Sequence, residues 1–179
     1  MSLSPPAPES VQLATEISQH EKFSKTRKKV FLSYSYSEVH NKSQNLHLAE
    51  EILRPILEML SFEVYSYYHD HSQRMKPMDW IESTVKTSDI LVALLTKDLK
   101  TINEKEEAEW HPKENIPNEI GMASESSLVI PFAETGVKVC SNVNNKFHCP
   151  TFARENYGEM IVELMGILKK EKQLEFSLP

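Results

Sequence analysis

Apolar and polar positions along this chain switch repeatedly between two periods. Val30–Tyr34 is a short apolar run of the kind that forms a buried strand. Leu46, Ala49, Ile52, Leu53, Ile56, Leu57 and Leu60 then recur at helical spacing, which predicts an amphipathic helix from Ser43 to about Leu60. Pro55 inside that helix is expected to kink it or to loosen one turn. Phe62–Tyr67 alternates and is aromatic and β-branched, a second strand. A polar loop over His69–Pro77 leads into a short helix, Met78–Thr87, with Trp80, Ile81, Thr84 and Val85 facing inward. Asp89–Leu95 is the most apolar run of the chain, a central strand buried on both faces. Lys97–Lys113 is so charged that it reads as a surface insertion or a frayed helix. Pro117–Ser124 reads as a helix, Leu128–Phe132 as a fourth strand and Tyr157–Lys170 as a closing amphipathic helix.

Strands that alternate with helices impose right-handed crossovers and a mostly parallel sheet covered on both faces. The expected class is therefore α/β, a flavodoxin-like three-layer sandwich with a four- or five-stranded parallel sheet. Residues 28–172 form the expected domain, with a flexible tail at 1–27 and a short C-terminal tail at 173–179. A short helix over Val11–Ser18 is the one element expected in the first tail.

Composition narrows the function classes. The 179 residues carry 20 Lys and Arg against 26 Asp and Glu, a net charge of −6. Residues 30–179 hold 15 basic and 23 acidic residues, a net of −8. A domain that acidic is a poor partner for a nucleic-acid backbone. No apolar run approaches the ~18–20 residues of a membrane span, and the first residues lack a signal-peptide pattern. Two cysteines, Cys140 and Cys149, make no disulfide scaffold, so a reducing cytoplasm is the expected setting. The four glycines, at 121, 136, 158 and 166, cannot build a GxGxxG or GxxxxGK[ST] phosphate loop.

In open parallel sheets, ligands bind beyond the carboxyl ends of the strands, where the strand order reverses. That rule nominates Ser33, Tyr34, Ser35 and Tyr36 after the first strand, Tyr67 to Asp70 after the second, and Thr96 and Lys97 after the third. The helix after the third strand begins at the same edge, with Asn115 or Asn118 as a cap and Pro117 in its first turn. Glu119 is expected in that first turn, pointing into the same cleft as Ser33 and Tyr34. A dipole-complementing or capping role would suffice to explain an acidic residue there.

The motifs have a familiar order. Lys29-Val30-Phe31-Leu32-Ser33-Tyr34-Ser35 opens the domain, and Thr87 to Thr96 forms its middle. Trp110, the run Pro117-Asn118-Glu119-Ile120-Gly121-Met122-Ala123, and Val129-Ile130-Pro131 complete it. Together, over about Lys28 to Lys170, they resemble a Toll/interleukin-receptor (TIR) or TIR-like domain of the prokaryotic type.

The resemblance implies one of two modes of action, in signalling or antiphage defence. Some family members only bind other TIR domains; others cleave the nicotinamide–ribose bond of NAD+. In the enzymes the catalytic residue is a glutamate in the helix between the third and fourth strands, commonly written W-x-x-x-E. That spacing would select Glu114, but Pro112 and Pro117 oppose a regular helix from Trp110. The E-I-G-x-A turn before a V-I-P strand selects Glu119 instead, and Glu114 is expected to project from the insertion into solvent. The resemblance then implies Glu119 as catalytic residue, with Ser33, Tyr34, Tyr36, Arg74 and Asn118 binding substrate. Lys76 joins Arg74 as a candidate for the phosphates. NAD+ would be the substrate, with no separate cofactor, and self-association with other TIR domains is expected.

Other chemistry is weaker. Tyr34 reads equally as an aromatic lid on the core, Trp80 reads better as core, and Trp110 as ligand-stacking or as an anchor for the insertion. His69-Asp70-His71 and His148-Cys149 lack the close ligand pairs of a zinc site, so no metal is expected. A thiol nucleophile at Cys149 has no supporting motif. A nucleoside deoxyribosyltransferase-like enzyme shares the layout and a glutamate in a similar turn, but its base-recognising aspartate pattern is not found.

Overall fold

The computed structural model describes residues 27–36, 42–71, 74–171 and 173. The expected helix over 11–18 and, but for residues 27 and 173, both expected tails lie outside the described residues. Five parallel strands form the main sheet in the order β2-β1-β3-β6-β7. They are β1 (Lys29–Tyr34), β2 (Glu63–Ser66), β3 (Ile90–Leu95), β6 (Leu128–Glu134) and β7 (Thr151–Phe152). Parallel register runs from Val30 opposite Ile90 to Tyr34 opposite Leu94, and from Ile90 opposite Leu128 to Leu95 opposite Ala133. The protein is thus a flavodoxin-like three-layer sandwich, and its strand order reverses between β1 and β3.

All six β3 residues are buried, as the unbroken apolar run requires. The period of two sorts the strand side chains into two cores. Val30, Leu32 and Tyr34 face one side with Leu48, Leu53, Leu57 and Leu164. Phe31, Leu91 and Ala93 face the other with Val85, Ile116 and Ile120.

The long first helix is one run in three pieces: α1 (Lys42–Leu46), a π-helical stretch His47–Leu53, and α2 (Arg54–Met59). The Arg54 N–H reaches back five residues to Ala49 O. Widening the coil just upstream relieves the clash of the Pro55 ring with the preceding turn, which is the loosened turn expected from the sequence. Short α3 (Tyr67–Asp70) and α4 (Pro77–Lys86) follow β2.

The charged segment 97–113 is a surface insertion, but it is a β-hairpin and not a frayed helix. β4 (Leu99–Ile102) pairs antiparallel with β5 (Ala108–His111). Charges crowd its tip from Glu104 to Glu107 and all four β4 residues are exposed, so no buried face marks a period of two. The hairpin leads into α5 (Asn115–Met122), and the remaining elements are α6 (Ser141–Asn144) and α7 (Tyr157–Lys170). Among the described residues no helix is long and apolar enough to cross a membrane.

Candidate functional site

At the reversal of strand order, a cleft of about 270 Å³ opens above Phe31 and Leu32. Tyr34 and Tyr36 come to it from the end of β1, Tyr67 and Tyr68 from α3, and Asn115 and Glu119 from α5. Among the described residues Lys113 is the one basic residue of its lining and Glu119 the one acidic residue. The volume falls just short of the ~300–1,000 Å³ that encloses a drug-sized ligand. It suits a ring and a sugar rather than a whole dinucleotide.

Glu119 was expected in the first turn of its helix, and the structure corrects this. The helix begins at Asn115, two residues earlier, because the Lys113 and Glu114 carbonyls accept from the Ile116 and Asn118 N–H groups. Pro117 is tolerated because early helical N–H groups have no intrahelical partner in any case. Glu119 is therefore in the second turn, beyond reach of a capping role, and is only 5% exposed. Its Oε1 accepts from Asn115 Nδ2 at 3.3 Å, across one helical turn. The Ser33 hydroxyl lies against the same carboxylate, without the distance and angle of a full hydrogen bond. Burial pushes the Glu119 carboxyl above its usual range, and Ser33 and Asn115 offset part of that. Among the described residues no cation stands within ion-pairing distance of it.

The walls are aromatic. Tyr36 and Tyr68 meet edge-to-face at 5.3 Å, and both rings are exposed at the mouth. Tyr67 packs on His71 and on Trp80, and Trp80 in turn on Phe31, so Trp80 supports the cleft from the core. The Tyr34 ring lines the cleft, but its hydroxyl turns away and donates to Glu50 Oε1 at 2.7 Å. Burial and the Glu50 carboxylate push that phenol far above its usual range.

Behind the aromatic wall lies a buried ionic knot that the sequence did not reveal. Arg54 Nε donates to Glu50 at 2.5 Å, Nη2 to Asp70 at 2.7 Å and Nη1 to Val64 O at 2.8 Å. The Ser66 N–H donates to Asp70, and the Ser66 hydroxyl to Glu50. The knot ties the helix above β1 to the start of α3 and so fixes Tyr67 and Tyr68. Glu50 and Arg54 at i and i+4 were the only sequence signal, and an ordinary surface pair looks the same.

The other candidates lie elsewhere. Asn118 and Glu114 are exposed and line a separate open concavity between α5 and the hairpin, with Thr101, His111 and Lys138. Asn115 lines the cleft, and neither it nor Asn118 is the cap of α5, whose N-cap is Glu114. Arg74 and Lys76 are exposed ahead of α4 and are not among the lining residues of the cleft. Trp110 sits on β5 under the Lys100 ammonium at 5.8 Å. His69 contacts Asp70, and among the described residues no three His, Cys, Asp or Glu side chains converge as metal ligands. Burial, reinforced by nearby Cys140, pushes the Cys149 thiol up to about 11, which opposes a nucleophilic role.

No protein-family model matches the chain, and no curated protein matches it.

Proposed function

We propose that this domain is a TIR-like NAD+ glycohydrolase. The observation that carries the reading is Glu119, a buried carboxylate with no ion-pair partner among the described residues, lining a cleft at the strand-order reversal. A buried anion of this kind lacks a positive charge, and this substrate brings one. The nicotinamide ring is cationic, and as its bond to ribose C1′ breaks the charge moves onto an oxocarbenium-like sugar. A fixed carboxylate stabilises that charge and can accept from ribose hydroxyls. The bonding electrons leave with nicotinamide, which departs neutral. Water then adds to C1′ and releases a proton, giving ADP-ribose.

The chemistry needs no general acid, so Glu119, the one carboxylate among the described lining residues, suffices for it. A neutral nucleoside, the substrate of a deoxyribosyltransferase, would benefit from a second acid to protonate its base. The cleft has room for the nicotinamide–ribose half, over the Tyr36–Tyr68 pair. The diphosphate then extends past Lys113 at the mouth. On this reading the setting is cytoplasmic defence or signalling, and association with other TIR domains completes the weakly closed site. Incubation with NAD+ and chromatographic detection of nicotinamide tests the proposal. Deoxynucleosides with an acceptor base test the transferase reading, and binding to TIR partners without turnover would favour a scaffold.

A further inference from the structure

The hairpin leaves the fold at Asp98 and returns at Lys113, directly before the helix that carries Glu119. Such an excursion is a lever on the helix unless its base is closed. Asp98 closes it from both sides. Its N–H donates to His111 O at 3.2 Å, and its Oδ2 accepts from the Lys113 N–H at 3.1 Å. The Thr96 hydroxyl sits 3.1 Å from both carboxylate oxygens and accepts from Asn45 Nδ2 at 3.0 Å. The same Asn45 amide donates to Ser35 O, and Arg154 donates to its Oδ1. Asp98 is itself only 8% exposed, so this is an interior joint and not a surface turn. Lys113 lines the mouth of the cleft, and Asn115, the donor to Glu119, follows two residues later.

We propose that Asp98 is a positioning residue for Glu119, stapling the base of the hairpin so that the start of α5 is held against the ends of β1 and β3. That the positioned carboxylate is catalytic rests on the function proposed above; the staple does not.

The test uses the whole chain with Asp98→Ala and Asp98→Asn. Amide hydrogen exchange is read over residues 113–119 and over the core strands, beside steady-state NAD+ cleavage. Loss of a charged acceptor for the part-buried Lys113 N–H should speed exchange at 113–119 by about 10–100-fold in Asp98→Ala and leave β1 and β3 unchanged. Asparagine keeps a neutral acceptor, so an acceleration of only about fivefold is expected there. Turnover should fall by about 10–100-fold in Asp98→Ala, with little change in KM, and be largely restored in Asp98→Asn. Unchanged exchange at 113–119 overturns the staple, as does acceleration spread evenly over β1 and β3. If Asp98→Ala does not fold, Asp98→Asn decides alone: wild-type exchange at 113–119 overturns the proposal. If the wild-type chain releases no nicotinamide, the proposed function fails while exchange still decides the staple.

Discussion

Glu114 and Glu119 share one helix end and face different spaces. Glu119 is buried in the cleft at the strand-order reversal, whereas Glu114 is exposed and lines the open concavity beside the hairpin. Five residues turn an α-helix by roughly 500°, about 140° from where it began, so the two carboxylates cannot serve one site.

The buried charge of Glu119 should make the fold less stable than it need be. Its folded pKa is raised above the ordinary value of 4.5, with burial as the main cause. Below that value the carboxyl is neutral folded and unfolded, and burial costs little. As pH rises, the unfolded chain ionises first and stability is lost until the folded pKa is passed. Asp98, also raised by burial, acts in the same direction. Glu119→Gln is therefore expected to match the wild-type Tm near pH 4 and to exceed it by pH 8, in thermal melts across that range. At this chain length each 1 kcal/mol corresponds to roughly 2–4 °C.

Asn115→Ala and Asn118→Ala should separate the two neighbours of Glu119. The Asn115 amide favours the ionised carboxylate, so its removal raises the Glu119 pKa further. The acid limb of the kcat/KM profile is expected to move to higher pH in Asn115→Ala and to stay in place in Asn118→Ala.

Tyr68→Ala removes half of the exposed ring pair at the mouth. Stacking of an aromatic ring on a ligand base is worth about 1–3 kcal/mol, or roughly 5–150-fold in affinity. KM for NAD+ should rise within that range, with the Tm nearly unchanged because Tyr68 is 50% exposed.

Arg54→Met strands the Glu50 and Asp70 carboxylates behind the aromatic wall. Removing one partner of a buried ion cluster costs about 3–5 kcal/mol. Urea unfolding should show a loss of that order; a change below about 1 kcal/mol would mean that the knot is solvated in solution.

Much of the architecture was legible because its signals are periodic. The six buried residues of Ile90–Leu95 and the spacing from Leu46 to Leu60 leave little choice of element. Two-residue β7 is too short for any pattern, and the hairpin was masked by its charges. Within the site, Ser33, Tyr34, Tyr36 and Glu119 were reachable from the rule that ligands bind beyond the carboxyl ends of parallel strands. Asn118, which the resemblance implies as a binding residue, is next to Glu119 in sequence, but neighbours on a helix point roughly 100° apart, while residues four apart share a face. Asp98, Arg54 and Asp70 owe their roles to partners 12 to 16 residues away in sequence, and no local pattern announces such contacts.

The most direct test of the account is nicotinamide release from NAD+ by the wild-type chain, Glu119→Gln and Glu114→Gln, at matched and high protein concentration. Release by the wild type and by Glu114→Gln, with loss of at least about 100-fold in Glu119→Gln, is the expected result. No release by the wild type at any concentration, or loss confined to Glu114→Gln, would contradict it.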